Sequence, residues 1–148
     1  TCVLVNGSRT ECSETQVDHA LLSGCLSRDM NHNWTLAILE LPTELSPEGV
    51  ASRRAEYTLS LLRHRQQDAI FLIGGDTAFA FIAALGHPVL HPIAEVLPGV
   101  AVSRILASDL VSHLPNYNCD LVVITKSGGF GQMDVICYVR RILEQDAG

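Results

Sequence analysis

The chain has 148 residues, a length that suits one domain. Apolar residues make up 47% of the sequence and charged residues 18%, which excludes an intrinsically disordered chain. The formal net charge is −6 and no basic run exceeds two residues, so we expect no nucleic-acid partner. No apolar run approaches the roughly 20 residues that span a bilayer, so we expect no membrane partner either.

Cysteine usage bears on the redox compartment. The sequence has five cysteines, an odd number, and no two of them are spaced as CxxC: Cys2, Cys12, Cys25, Cys119 and Cys137. In a domain of this size the pattern favours reduced thiols in a reducing compartment, and we expect a cytoplasmic protein. The chain opens inside an apolar stretch without an initiator Met, which indicates an excised piece of a longer protein.

The first third of the chain alternates apolar and helical patterns. Residues 2–5 form an apolar run that ends at Asn6-Gly7-Ser8, which predicts a buried strand and a turn. Apolar residues at helical spacing predict a helix over residues 13–26 with Ser13 as its N-cap. A second strand is predicted over residues 34–39.

The centre of the chain continues the alternation. Ser46-Pro47 has the composition of a helix start, with Ser as N-cap and Pro at the first helical position. Residues 69–73 are apolar throughout and predict a third strand. The turn Gly74-Gly75-Asp76-Thr77 then opens a helix that runs to Leu85, and Gly86 ends it.

The last third predicts three more strands and a final helix. Residues 93–96 and 100–106 are short strand candidates on either side of a Pro-Gly turn. Residues 121–125 form a strong strand, and a helix follows to about Glu144. Apolar strands that alternate with helices imply a parallel sheet covered on both faces. We therefore predict an α/β fold of three layers, with a mostly parallel sheet, helices on both faces and a mixed edge.

Three strand-to-helix turns carry glycine: Asn6-Gly7-Ser8, Gly74-Gly75-Asp76-Thr77 and Ser127-Gly128-Gly129-Phe130-Gly131. In a parallel sheet such turns lie at the carboxyl ends of the strands, where ligands of open α/β folds bind. Glycine lets an anion approach the backbone amides, and the following helix adds free N–H groups. Together the turns predict a nucleotide-sized anion site, although a single Gly-Gly turn is more often only a tight turn. The P-loop and GxGxxG motifs are both absent.

The same turns carry a resemblance that covers nearly the whole chain. In this order, three segments resemble the C-terminal nucleotide-binding domain of the four-carbon acid sugar kinases, a family also catalogued under a type III effector Hrp-dependent outer protein label. They are Gly7-Ser8 with Ser13 and Gln16, then Gly74-Gly75-Asp76-Thr77-Ala78, then Lys126-Ser127-Gly128-Gly129-Phe130-Gly131. Glu95 and Pro98-Gly99-Val100 match a further turn of the family.

The resemblance implies an ATP-binding domain, over residues 1–148, of a kinase that phosphorylates a hydroxyl of a four-carbon sugar acid of the threonate, erythronate or tetronate type. ATP and Mg²⁺ are the implied cofactors. The sugar acid is expected on an N-terminal domain outside this sequence, so this piece alone should phosphorylate nothing. A homo-oligomer is compatible with the sequence. The alternative is a non-catalytic nucleotide- or metabolite-sensing module.

The predicted nucleotide-binding residues all lie in the three turns: Gly7, Ser8, Gly74, Gly75, Asp76, Thr77, Lys126, Ser127, Gly128, Gly129 and Gly131. Lys126 would place a point charge near the terminal phosphates, or else extend to solvent from the sheet edge. Asp76 would be a Mg²⁺ ligand, a general base or a helix cap. The Thr77 hydroxyl would bond a phosphate oxygen or its own helix. No catalytic residue is assigned and no protein metal site is predicted.

Four further residues carry weaker expectations. Phe130 is expected to pack in the core. Asp134 would either reach a metal through water or interact with the dipole of the last helix. His87 and His91 flank a proline, which argues against a helical zinc motif, and we expect ordinary loop histidines.

Overall fold

The structure, a computed structural model, describes residues 1–39, 41 and 44–146. In chain order its elements are β1 (Cys2–Asn6), α1 (Glu11–Leu22), β2 (Trp34–Leu36), α2 (Pro47–His64), β3 (Ala69–Ile73), α3 (Gly75–Ala84), β4 (His91–Leu97), β5 (Val100–Ile105), α4 (Ala107–Leu110), β6 (Leu121–Lys126) and α5 (Val135–Asp146). The strands form a six-stranded sheet in the order β2-β1-β3-β6-β5-β4. Strands β2, β1, β3 and β6 are parallel, and β5 and β4 form an antiparallel edge.

Two hydrophobic cores lie on opposite faces of this sheet. Alternate side chains of β1 separate between them, because successive residues of a strand point to opposite faces: Leu4 packs in the core with α1 and α5, and Val3 in the core with α2 and α3. All five residues of β3 are buried, as expected for a strand covered on both sides. The predicted three-layer, mostly parallel α/β fold with a mixed edge is therefore confirmed.

The helix boundaries of the central region follow the predicted signals. Ser46 is the N-cap of α2, since its hydroxyl accepts a hydrogen bond from the Gly49 amide at 3.1 Å, and Pro47 is the first helical residue. Gly86 follows the C-cap of α3 with a φ of 80°, the left-handed conformation that glycine adopts without strain. Among the described residues, no helix is long and apolar enough to cross a membrane.

Several boundaries differ from the prediction. The N-cap of α1 is Thr10, whose hydroxyl accepts a hydrogen bond from the Ser13 amide at 3.2 Å, so Ser13 lies inside the helix. The helix ends at Leu22 and not at residue 26, because Gly24 has a φ of 78° and redirects the chain. Strand β2 has only three residues, and the one-turn helix α4 was not predicted.

The expectation of reduced thiols is wrong for two of the cysteines. Cys25 and Cys137 form a disulfide, although 112 residues separate them in sequence. The pairing arises because α5 packs beside α1, and this brings Cys137 next to the turn that follows α1. Sequence spacing cannot show such a pair. Cys2, Cys12 and Cys119 carry free thiols.

Reduction of the Cys25–Cys137 disulfide is predicted to lower the free energy of unfolding by about 2–4 kcal/mol, because the crosslink closes a long loop in the unfolded chain. Denaturant unfolding with and without dithiothreitol measures this difference. A Cys25→Ala/Cys137→Ala double variant serves as the control and should not respond to the reductant. An equal response from both proteins would contradict the prediction.

Candidate nucleotide-binding site

The candidate site lies at the topological switch point of the sheet. Chain order moves from β1 to β2 on one side, and β3 then lies on the other side of β1. In open α/β folds the crevice outside the carboxyl ends of two such strands is the usual ligand site. Here β1 ends at Asn6 and β3 ends at Ile73, and the two ends are paired in register. The first two predicted glycine turns therefore border the switch point.

A cleft of about 400 Å³ opens at this point, and we call it the switch-point cleft. Its lining comes from the two turns, the start of α3 and one side of α2: Gly7, Arg9, Leu45, Pro47, Val50, Ala51, Arg54, Asp76 and Thr77. A second, more apolar cleft of about 470 Å³ lies between α2 and α3. The two clefts are adjacent, since Pro47, Ala51 and Asp76 line both of them.

Backbone hydrogen bonds join the three glycine turns. The Gly7 amide donates to the Ile73 carbonyl at 2.8 Å, which links the turn after β1 to the end of β3. The Gly74 amide donates to the Lys126 carbonyl at 2.9 Å, which links the turn after β3 to the end of β6. The parallel ladders thus continue one residue beyond the strands and bring the predicted site residues to one edge of the sheet.

Two side chains of the first turn and of α1 hold the third turn in place. The Thr10 hydroxyl donates to the Gly128 carbonyl at 3.1 Å. The side-chain amide of Gln16 donates to the carbonyls of Phe130 and Gln132 at 2.9 and 3.1 Å. Thr10 was absent from the predicted site, although a threonine just before a helical pattern that opens with Glu11 and Glu14 is itself an N-cap signal.

Three of the site glycines are required by close packing between the turns. A Cβ atom on Gly7 would overlap the Thr77 hydroxyl, and a Cβ atom on Gly128 would overlap the Ser8 hydroxyl. Gly74 has a φ of 105° and a Cβ atom there would lie 3.3 Å from the Ser8 amide nitrogen. These three glycines therefore allow the turns to pack closely against one another.

Gly75 and Gly129 have the opposite environment. A Cβ atom at either position would meet no heavy atom within 4 Å, so both backbones border open space. Gly75 begins α3, whose N-cap, Gly74, has no side chain to cap the helix. The first amides of α3 therefore have neither an intrahelical acceptor nor a capping oxygen, and they carry the positive end of the helix dipole. This arrangement fits the phosphates of a nucleotide.

Asp76 and Thr77 both line the switch-point cleft. Asp76 is exposed, and because Gly74 is the N-cap, the alternative of a capping role for Asp76 is wrong. In the part of the chain that the structure describes, the Asp76 carboxylate takes part in none of the ion pairs. Thr77 is buried, with its hydroxyl against Gly7. Contacts of both residues with a nucleotide stay predictions.

Lys126 occupies an unexpected position for a phosphate ligand. Its side chain is only 2% exposed, and its Nζ donates to the carbonyls of Ser127 and Gly128 at 2.6 and 3.3 Å. Burial lowers the pKa of the Lys126 ammonium, and the nearby Cys12 opposes this shift to a smaller extent. In this conformation the buried ammonium of Lys126 stabilises the turn that follows β6. Its contact with phosphate stays a prediction that requires the side chain to turn outward.

The other expectations have mixed outcomes. Phe130 is 56% exposed and lies against Gly99, so the expectation of a core position is wrong. Asp134 directly precedes α5, and its carbonyl accepts the Tyr138 amide at 3.0 Å. His91 begins β4 and is not a loop residue. The part of the chain that the structure describes contains no group of three His, Cys, Asp or Glu residues suited to a metal ion.

Comparison with known proteins shows the family. The family model described as the nucleotide-binding C-terminal domain matches residues 27–136. The chain belongs to this family. A curated relative, the D-threonate kinase of Salmonella typhimurium, is 31% identical over 98 residues, which cover 66% of this chain and 21% of the kinase. The resemblance to the C-terminal nucleotide-binding domain of the four-carbon acid sugar kinases is thereby confirmed.

Solved structures share the fold. A domain of unknown function from Bordetella bronchiseptica, a domain-swapped dimer with bound citrate, matches with a TM-score of 0.68 and 20% identity. A Haemophilus influenzae protein assigned to the same family matches with a TM-score of 0.63 and 14% identity. Each match covers 95% of this chain and 40% of the other. The chain thus spans about a fifth of the curated kinase and two fifths of these structures.

The packing of the glycines predicts different effects for two similar substitutions. Gly7→Ala should lower the free energy of unfolding by about 1–3 kcal/mol, because the added methyl overlaps the buried Thr77 side chain. Gly75→Ala, the matched control, should leave stability unchanged or raise it by about 0.4–1 kcal/mol, because the site is open and helical. Denaturant unfolding of both variants tests this, and equal destabilisation would contradict the described packing.

The lowered pKa of Lys126 predicts a pH dependence of stability. Because the folded state binds this proton less tightly than the unfolded chain does, the free energy of unfolding should rise with pH up to about 10.4, the ordinary lysine value. Lys126 is the only lysine in the sequence, so a Lys126→Met variant isolates its contribution. Wild type should therefore gain stability relative to the variant as the pH rises towards about 10.4. A difference in the free energy of unfolding that stays constant with pH would contradict the lowered pKa of Lys126.

Proposed function

We propose that this chain is the ATP-binding domain of a kinase that phosphorylates a hydroxyl of a four-carbon sugar acid. The observation that carries the proposal is the switch-point cleft, which Asp76 and Thr77 at the uncapped start of α3 line, in a chain of this family. The D-threonate kinase among its relatives supports the substrate class. The proposed substrate class comprises threonates, erythronates and other tetronates.

In this proposal the phosphates of ATP bind at the open backbones of Gly75 and Gly129, where amides replace water around the anion. The neighbouring cleft between α2 and α3 is lined largely by alanines and by Phe79, which is 71% exposed, and it offers an apolar surface for the base. Gly7, Gly74 and Gly128 position these backbones, because each of them packs closely against a neighbouring turn.

The Asp76 carboxylate, at the junction of the two clefts, would hold Mg²⁺ together with phosphate oxygens, since Mg²⁺ usually takes one or two protein carboxylates at such sites. When bound, Mg²⁺ neutralises charge on the phosphates. The protein's own part is to hold the phosphates in line with the acceptor hydroxyl through fixed amides. The sugar acid and the catalytic base would come from a second, N-terminal domain, and closure of the two domains would exclude water.

The assembly and location of the whole protein are also proposals. The Bordetella bronchiseptica neighbour is a domain-swapped dimer, which supports a homo-oligomer for the protein that contains this chain. A cytoplasmic location fits a kinase that uses cellular ATP.

Calorimetric titration with ATP–Mg²⁺ tests the proposal on this chain. Wild type should bind, and Gly75→Val should weaken binding at least about tenfold, because the side chain occupies the space next to the α3 amides. Ser60→Val, on the exposed surface of α2, is the control and should bind as wild type does. Equal affinity of all three proteins would place the nucleotide elsewhere.

An assay of the protein that contains this chain separates the kinase from the sensing alternative. A kinase should release ADP when a four-carbon sugar acid is added, and the Gly75→Val variant should lose that activity. Nucleotide binding without acid-dependent ADP release, across threonate and erythronate stereoisomers, would favour the non-catalytic sensing module instead.

A further inference from the structure

Two arginines that the glycine motifs do not include line the switch-point cleft. Arg9 comes from the turn after β1, and Arg54 comes from the middle of α2. Arg9 is exposed and Arg54 is half-buried. Arg54 also lines an adjoining cleft of about 300 Å³, where Arg28 is a third guanidinium. Three of the ten basic residues of an acidic chain thus gather at one end of the sheet.

Neither arginine of the switch-point cleft has a protein partner in the described residues. None of the ion pairs there includes Arg9 or Arg54, and neither side chain donates a hydrogen bond. Asp76 lines the same cleft but does not come within ion-pair distance of either guanidinium. Burial lowers the pKa of Arg54, and the positive charge of Arg9 lowers it further. Arg9 and Arg54 thus place two positive charges in one cleft. An anion bound between them would offset both their mutual repulsion and the cost of burying Arg54.

We propose that Arg9 and Arg54 bind the terminal phosphate of a nucleoside triphosphate. This rests on the proposed function, and it assigns a role to residues outside the predicted site. Guanidinium groups bind phosphate oxygens through two parallel hydrogen bonds and remain charged at any physiological pH. The position is suitable, because the cleft shares Gly7, Asp76 and Thr77 with the glycine turns.

The position of Lys126 strengthens the assignment. A nucleoside triphosphate requires cationic partners besides amides, and the Lys126 ammonium already donates to two carbonyls beneath its own turn. Arg9 and Arg54 line the cleft together with Asp76 and Thr77, which belong to the uncapped start of α3. An arginine next to a transferred phosphoryl group stabilises the charge that spreads over its equatorial oxygens. The same pair would bind the carboxylate of a sugar acid by the same chemistry, so the experiment must separate these two sources.

The test is a set of calorimetric titrations of this chain with ATP, AMP, inorganic tripolyphosphate and threonate. The variants are Arg54→Ala and Arg9→Ala. The matched control is Arg53→Ala, which removes the same charge from an exposed position next in sequence that lines neither cleft. Thermal unfolding of each variant verifies the fold. Because Arg9 is exposed, Arg9→Ala still tests the proposal if Arg54→Ala perturbs α2.

We expect Arg54→Ala and Arg9→Ala each to weaken ATP and tripolyphosphate about ten- to a hundredfold, the range for a lost hydrogen bond to a charged group. Binding of AMP, which lacks the terminal phosphates, should stay at the wild-type level. Arg53→Ala should match wild type with every ligand. This combination supports the terminal-phosphate assignment and would not arise from a general loss of stability.

Three results would overturn the assignment. The first is equal affinity of wild type and both cleft variants for tripolyphosphate. The second is an equal loss of AMP and ATP binding, which would show a role in positioning the base or the fold. The third is a selective loss of threonate binding, which would assign the pair to the carboxylate of the acid.

The same titrations distinguish failure of this inference from failure of the proposed function. ATP binding by wild type that neither arginine affects would leave the function standing and overturn the inference. Arginine-dependent tripolyphosphate binding without ATP binding would support the phosphate site and count against the ATP-binding function. Wild type that binds neither ATP nor tripolyphosphate would overturn both.

Discussion

The contact between the turn after β1 and the start of α3 determines the geometry of this end of the molecule. Gly7 lies so close to Thr77 that no side chain fits between them, and Gly128 lies equally close to Ser8. These approaches are possible only because glycine lacks a Cβ atom. They bring three turns, which are distant in sequence, into one hydrogen-bonded edge. The switch-point cleft and Arg9, which follows β1, lie at that edge.

Two kinds of glycine lie along this edge, and the sequence motifs do not distinguish them. Gly7, Gly74 and Gly128 are needed for packing, whereas Gly75 and Gly129 border open space. The packed residues make the edge rigid, and a rigid backbone can present amides to an anion without reorganising. The start of α3 has no side-chain cap, so its amides remain free for a ligand.

Much of the fold followed from local sequence signals, and parts of the site did not. The apolar run of β3 and the Ser46-Pro47 start of α2 were predictable because each signal acts within a few residues. The Cys25–Cys137 pair and the cleft position of Arg54 were not, because each depends on which helix packs beside which turn. Lys126 shows the same limit. Its motif suggested an outward charge, and only the structure shows an ammonium that is bonded to carbonyls beneath the turn.

The central claim is that a nucleotide binds at the carboxyl edge of the sheet, against the open amides of α3 and the third turn. Amide NMR shifts of the ¹⁵N-labelled chain during titration with ATP–Mg²⁺ test it most directly. The account predicts that the largest shifts occur at Gly75 and Gly129, with smaller changes elsewhere in the turns. Shifts concentrated at the opposite end of the sheet, near Thr1 and Asp68, or along β4, would contradict it.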